Sequence, residues 1–405
     1  MTGLLRHHDF RALLAGAALS SVGSRFLGFA LPLFALSRAH ADVGQVALIT
    51  ALSTAAFLVV GLPAGAIVDR VRRRRLLIVA DAGRAALVAS LLVGWGDAQL
   101  PVLYVVAAAT GVLTVFFDVA HQSYLPQLIT RDQLVEGNTR LTTVATIATV
   151  AGPTAAGALL GATGVSGTAL VIALAFLGSA AFLLPIGAPD ARPVAVPGRG
   201  IVREVRDGLG LVLRHPVLRL IALSGSLYNL FFLVIQSTVL VYLVSVLGLT
   251  PAAAGLYFTA GGAGGVLGAV LSGRIAARIG RHRLLWLGLV TTTPFMVLTP
   301  LATGTGGLWA AAAGFLVVSA GASAFNIAQV SVRQEVCPDE LLGRMTATMR
   351  FLLWSSLPLG SLLGGAVGSA GGVRTALWVG AIGMVLACAP ACLPALRKPA
   401  VPTPM

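Results

Sequence analysis

Twelve apolar stretches, most of them about 20 residues long, fill the 405 residues of this chain, and its arginines gather in every second connection between them. A hydrocarbon layer about 30 Å thick is crossed by roughly 20 apolar residues of helix at about 1.5 Å each. Inside lipid the backbone must satisfy its own hydrogen bonds, so such stretches become helices. Charged residues make up only 10% of the chain. An ordinary soluble domain carries about 25%, so a water-soluble fold of this composition would lack a polar surface. The chain is therefore predicted to be an all-α membrane protein. Its helices run over about 10–36, 43–68, 76–95, 101–122, 138–161, 165–186, 217–246, 252–273, 284–302, 307–330, 345–368 and 373–394.

The N-terminus resembles a secretory leader, with Arg6 and Arg11 ahead of an apolar run, but that run continues to Leu36. This is too long for a leader's apolar core, so it is read as an uncleaved first helix. Cys337, Cys388 and Cys392 form neither an even set nor a metal-ligand spacing, which argues against a disulfide framework or a zinc site. No cofactor and no metal are expected.

The longest connection, 187–216, holds Pro189, Pro193, Pro197, Gly198 and Gly200 together with Arg192, Arg199, Arg203, Arg206 and Arg214. Proline, glycine and charge together mark a linker. It separates an N-terminal six-helix bundle, 1–187, from a C-terminal one, 217–405, with the linker at 188–216. The net charge of +14 is a topology signal. The basic residues flank apolar helices instead of forming a tract with interleaved aromatics, which speaks against a nucleic-acid partner. One side receives Arg6, Arg11, Arg70, the run Arg72 to Arg75, Arg131, the linker arginines, Arg274, Arg278, Arg281, Arg283, Arg333, Arg344, Arg397 and Lys398, and the other only Arg38 and Arg374. The positive-inside rule then puts both termini in the cytoplasm.

The two halves repeat each other. Phe117-Asp118-Val119-Ala120-His121-Gln122-Ser123 aligns with Phe325-Asn326-Ile327-Ala328-Gln329-Val330-Ser331, and Pro153 with Pro358. Parallel six-helix repeats imply a pseudo-twofold axis along the membrane normal, with a site between the halves near mid-membrane. Strongly polar side chains within the helices are few: Arg25; Asp81 and Arg84; Asp118 and His121; Asn229 and Gln236; Asn326 and Gln329; and Arg350. A charge at the bilayer centre costs at least about 2.5–3.5 kcal/mol, so such groups face water or a partner. Helices 1, 4, 7 and 10 are thus expected to line one path. The alternative is that Asn and Gln merely join neighbouring helices. Tyr228 and Trp354 are candidates for aromatic contact with a ligand, bundle packing being the other reading.

Between helices 2 and 3 stands Gly65-Ala66-Ile67-Val68-Asp69-Arg70-Val71-Arg72-Arg73-Arg74-Arg75. It resembles the signature of the major facilitator superfamily at that place, with Arg72 where a glycine is usual. The resemblance implies a cytoplasmic gate motif of Gly65, Asp69, Arg70, Arg73 and Arg74, with Asp81 and Arg84 paired behind it and Arg344 as a partner for Asp69. Gly152, Pro153 and Gly157 in helix 5 resemble the glycine-proline motif of drug/proton antiporters, although Ala148 replaces an upstream glycine; a plain kink is the other reading. Stretches such as 116–126 and Gly343-Arg344 look like the branch of enterobactin-exporter-like and macrolide-efflux-like proteins.

The expected function is secondary transport in a bacterial cytoplasmic membrane: export of a small amphipathic molecule by proton antiport and alternating access, by a protein acting as a monomer. An importer or facilitator of the same fold is the nearest rival; a receptor or membrane enzyme is a more distant one. Asp118, with His121 one turn away as a relay, is the candidate proton carrier, against a structural pairing of Asp118 with an arginine. Arg25, Asp118, Tyr228, Asn229, Gln236, Asn326, Gln329 and Arg350 are the candidate cavity residues, and two cations against one anion suit neutral or anionic amphiphiles. Gly261 to Gly265 fall inside helix 8, not at a strand-to-helix turn, so they are expected to pack helices rather than to bind nucleotide. No Walker lysine is present to support ATP drive.

Overall fold

The computed structural model describes residues 4, 7–68, 70–94, 96–187, 209–337 and 341–397. In the first half, α1 (His8–Arg38) starts where the His7 ring accepts the Phe10 amide at 3.3 Å. Helix α2 (Val43–Val68) opens on a reciprocal cap: Asp42 accepts the Gln45 amide at 2.8 Å while the Gln45 side chain accepts the Asp42 amide at 2.9 Å. Then follow α3 (Arg73–Ala89) and α4 (Gln99–Leu128). The helical segment Leu134–Leu183 breaks at Gly164, whose φ of 65° and ψ of −171° only glycine adopts without strain. It therefore forms two helices, α5 (134–163) and α6 (165–183).

The second half contains α7 (Pro216–Val241), continued by a π turn Tyr242–Val246, and α8 (Pro251–Ile279). Helix α9 (Arg281–Thr292) runs on through a 3-10 stretch Thr293–Val297 and one further turn Leu298–Leu301. Helices α10 (Gly304–Val336), α11 (Leu342–Gly371) and α12 (Val373–Ala387) complete it. Among the described residues, ten helices are long and apolar enough to cross a bilayer. Taking α5 and α6 separately and adding α3, whose 17 residues fall just short, gives the expected twelve.

The helix ends differ from the sequence reading in a consistent way. Helix α4 continues to Leu128 and α10 to Val336, about a turn and a half beyond the apolar stretches. Hydropathy marks where lipid ends, whereas a helix continues into water as long as its residues tolerate it. Helix α9 stops early, because Pro294 has no amide hydrogen to continue the ladder.

The chain divides into two compact units, Met1–Val196 with Thr250–Thr259, and Pro197–Leu249 with Ala260–Met405. In the first unit α1 packs along α5 and α6, α2 along α4, and α3 against both α4 and the Leu134–Leu183 segment. Phe10, Leu13, Leu77, Tyr124 and Leu125 form part of its core. In the second unit α7 packs on α11 and α12, and α9 on α10. Large apolar side chains such as Val79, Val105, Ile147, Val270 and Leu386 stay exposed, as a lipid-facing surface requires.

The glycine run of α8 meets α10 backbone to backbone. A Cβ added to Gly264 would lie 2.0 Å from the Leu316 carbonyl oxygen, and one added to Gly268 would lie 2.1 Å from that of Ala320. These glycines therefore set a helix crossing, as expected of small residues in membrane bundles. The two arginines apart from the arginine-rich connections are both tied to helix ends. Arg38 donates to the Leu91 carbonyl at 3.4 Å and to Ser166 Oγ at 2.6 Å, and Arg374 donates to the Pro300 carbonyl at 2.8 Å.

Candidate functional site

In the second unit α7, α10 and α11 enclose a cavity of about 280 Å³. Its wall includes Tyr228, Asn229, Phe232, Asn326, Gln329 and Trp354. The space exists partly because Gly225, also in the wall, admits the Leu353 side chain, whose Cδ2 would lie 2.3 Å from an added Cβ. Tyr228 stacks on Phe232 with ring centres 6.0 Å apart. Arg350 lays its guanidinium over the Trp354 ring, 4.5 Å from the centre. Such a contact is worth roughly 0.5–1 kcal/mol at an exposed site.

The polar groups of this cavity divide into occupied and open ones. Asn229 donates to the Leu353 carbonyl at 2.9 Å, joining α7 to α11. Gln329 donates to Asn326 Oδ1 at 2.8 Å. The Tyr228 hydroxyl and Gln329 Oε1 are buried and have no hydrogen-bond partner among the described residues. Tyr228 is 7% exposed and Gln329 4%. A buried polar atom left unpaired costs about 1–3 kcal/mol; both atoms lie behind the cavity surface, with almost no exposed area of their own. Gln236, two turns further along α7, is not part of this wall; its Oε1 is buried without a partner among the described residues.

The first unit holds the charged residues. Asp81 and Arg84, one turn apart on α3, form a fully buried ion pair. Asp81 also accepts from Ser20 Oγ at 3.3 Å and from Ser179 Oγ at 2.5 Å. Arg84 donates to Ser20 Oγ at 3.0 Å, Ser24 Oγ at 3.1 Å and Thr114 Oγ1 at 3.4 Å. Its guanidinium lies 4.5 Å from the Phe117 ring centre and 4.6 Å from that of Phe176. The network thus ties α1, α3, α4 and α6 together. Asp118 is half-buried on α4, within electrostatic reach of both Arg25 and Arg84. His121 stacks on Phe117 with ring centres 5.8 Å apart, and its Nε2 is buried without a hydrogen bond to any of the described residues.

Pro153 removes one amide from α5, and Gly152 and Gly157 make room around it. An added Cβ at Gly152 would meet Arg25 Cβ at 2.9 Å, and one at Gly157 would meet the Pro251 carbonyl oxygen at 2.3 Å. Thr259 donates to the Val150 carbonyl at 2.7 Å and lies 2.7 Å from Thr154 Oγ1. Since Thr259 has one hydroxyl proton, Thr154 is the donor between the two. Interhelical hydrogen bonds of this kind average only about 0.6 kcal/mol in membrane proteins. Thr259→Val is accordingly expected to lower stability by less than about 1 kcal/mol, as measured by unfolding in mixed micelles.

A family model described as Major Facilitator Superfamily matches residues 13–357 and, in a second match, 235–404. The chain belongs to the major facilitator superfamily. The multidrug efflux pump Tap of Mycobacterium tuberculosis is 28% identical over 409 residues, covering 95% of this chain and 93% of that protein. The enterobactin exporter EntS of Escherichia coli is 26% identical over 376 residues, covering 91% and 85%. Among solved structures, a bacterial homologue of the iron transporter ferroportin in an inward-facing state has a TM-score of 0.77 at 17% identity, covering 96% of this chain and 98% of that one. The nucleoside transporter NupG has a TM-score of 0.78 at 12% identity, covering 96% and 100%. The protein is thus a multi-pass membrane transporter, and its family and relatives are transporters rather than enzymes.

In this superfamily member the turn between α2 and α3 is made without glycine. Arg72 takes φ −67° and ψ 115°, an extended conformation open to any residue, just ahead of α3. At the matching turn between α8 and α9, Gly280 has φ 85° and ψ 153°. Arg74 donates through Nε to the Leu183 carbonyl at 2.9 Å and through Nη2 to the Leu184 carbonyl, so it caps the end of α6. Arg70 stands in the turn, its amide bonded to the Ile67 carbonyl at 3.0 Å, and Arg73 opens α3. Asp69 lies outside the described residues, as does the side chain of Arg344; Gly65 falls within α2.

The sequence reading missed Phe232, Phe325 and Ser319 in the cavity wall, and the hydroxyls of Ser20, Ser179 and Thr114 around the ion pair. Tyr228 and Phe232 are four apart, a spacing that places two aromatics on one helix face and was available as a signal. Nothing in the sequence distinguishes those three hydroxyls from the many others.

Proposed function

We propose that this transporter exports small amphipathic molecules across a bacterial cytoplasmic membrane by proton antiport and alternating access, as a monomer with both termini in the cytoplasm. The observation that carries the reading is the cavity of the second unit, whose wall combines the aromatic rings of Tyr228, Phe232, Phe325 and Trp354 with the amides of Asn229, Asn326 and Gln329. Ligand sites of transporters and enzymes alike are apolar hollows with a few convergent polar groups. The exporters among the relatives support the outward direction.

Asp118 is the proposed proton carrier. Asp81 is already enclosed by Arg84, Ser20 and Ser179, so protonating it would break a completed network. Asp118 is half-buried, within electrostatic reach of Arg25 and Arg84. His121, one turn away, is the proposed relay, and Arg25 the balancing cation. The motif from Gly65 to Arg74, with Arg344, is proposed to act as the cytoplasmic gate.

Inverted membrane vesicles test this. A fluorescent amphiphile should accumulate when a pH gradient, acid inside, is imposed, and the gradient should dissipate as it does so. Asp118→Asn should reduce gradient-driven accumulation to background while leaving exchange of labelled for unlabelled amphiphile intact. Accumulation indifferent to the gradient would remove antiport. Movement only in the opposite sense would replace the exporter by an importer.

A further inference from the structure

We propose that an open groove at the start of α3 binds the headgroup of an anionic phospholipid, a lipid site separate from the cavity of the second unit. The site depends on neither the transported molecule nor the direction of transport.

Helix geometry sorts the four consecutive arginines into two pairs. Arg73 and Arg74 are half-buried, and Arg74 caps the end of α6. Arg72 and Arg75 are exposed, as is Arg70 in the turn before them. These three line one open groove of about 490 Å³, together with Val71, Leu76 and Val79. Residues 72, 75, 76 and 79 follow the i, i+3, i+4, i+7 spacing of a single helix face. Arg72 stands where the superfamily signature has glycine, and its extended backbone makes no demand for any particular residue. The turn therefore does not account for a charge at this position, whereas a ligand in the groove does.

Arg70, Arg72 and Arg75 form no ion pair with any described residue. Counting the neighbouring Asp69 at full negative charge still leaves three arginines against one carboxylate. Guanidinium forks match the oxygens of a phosphate, which they bind through paired hydrogen bonds. The apolar half of the groove says what carries the phosphate. Val79 is 62% exposed and belongs to the lipid-facing surface. It lies four residues after Arg75, about 6 Å along the helix. Cationic groups and hydrocarbon surface thus meet in one groove, as an amphiphile requires. A phospholipid sets its phosphate among the arginines and its first acyl carbons along Leu76 and Val79. A soluble phosphate makes no use of the second surface. Basic pockets beside membrane helices take anionic headgroups on the same principle.

The test is native mass spectrometry of the purified full-length protein, released from detergent micelles and titrated with three probes. Phosphatidylglycerol is the anionic lipid, phosphatidylcholine with the same acyl chains is the zwitterionic one, and glycerol phosphate carries the charge without the chains. Phosphatidylglycerol should bind at least about tenfold more tightly than phosphatidylcholine, the scale set by several basic residues near an anionic lipid. Glycerol phosphate should bind far more weakly than phosphatidylglycerol. Arg72→Gln with Arg75→Gln should erase most of the lipid preference, and Arg72→Lys with Arg75→Lys should retain part of it. Arg278→Gln with Arg283→Gln removes the same charge from exposed positions around the matching turn of the second unit, and should leave the preference as it was. Should the first glutamine pair not reach the membrane, Arg75→Gln alone should lose part of the preference. Equal affinity for the two lipids would overturn the proposal, as would a preference that survives the loss of Arg72 and Arg75. An equal loss in the second-unit pair would show bulk charge instead of a site. Glycerol phosphate binding as tightly as phosphatidylglycerol would replace the lipid by a soluble anion.

Discussion

Arg84→Met is expected to lower the stability of this transporter by about 3–5 kcal/mol, the cost of leaving one partner of a buried ion pair without the other. The substitution keeps the apolar length of the side chain, so volume is nearly conserved. What it removes is the charge that faces Asp81, the donors to Ser20, Ser24 and Thr114, and the cation between Phe117 and Phe176. Asp81 would remain fully buried with only two serine hydroxyls. Removing both charges avoids that orphan. Asp81→Leu with Arg84→Met is therefore expected to be more stable than Arg84→Met alone by at least about 2 kcal/mol, a coupling that a double-mutant cycle measures. Unfolding curves in mixed micelles for the four proteins are the experiment. Additive effects would mean that the pair is not a unit.

The second large effect concerns one glycine and its neighbour. Gly264→Ala should cost at least about 1–3 kcal/mol, the usual range for overpacking, because the atom its Cβ meets at 2.0 Å is the Leu316 carbonyl oxygen. A backbone atom has no rotamer to adopt, so α8 and α10 must separate. Gly265→Ala adds a methyl group where nothing lies within 4 Å. It is expected to be neutral, within about 0.5 kcal/mol, or slightly stabilising through better helix propensity. The two adjacent alanine substitutions differ only in direction around the helix. Equal yields and equal thermal midpoints for the pair would show that this crossing is looser than described.

Much of the fold was legible in the sequence because a bilayer reads hydropathy directly. Helix number, the break between α5 and α6 near Gly164, and the packing role of Gly264 followed from stretch length, a run of breakers, and small residues in an apolar context. Helix ends were less legible, as α4 and α10 show, since lipid thickness limits the apolar stretch but not the helix. The candidate residues divide in the same way. Asp81 and Arg84 three apart on one helix announce a pair, yet the four hydroxyls that complete it come from α1, α4 and α6. In the second unit Tyr228, Asn229, Asn326 and Gln329 were visible as polar or amphipathic exceptions, whereas Phe232, Phe325 and Leu353 look like ordinary core residues.

The amino-acid order alone determined that this chain lives in a membrane, how many times it can cross, and which few side chains are too polar to face lipid. Those are questions of local free energy, answered within one helix at a time. Only the tertiary structure decided which polar atoms are already paired and which are left open, because partners arrive from helices far apart in the chain. For that reason Asp81 is buried with its bonds completed, whereas the Tyr228 hydroxyl is buried with none among the described residues.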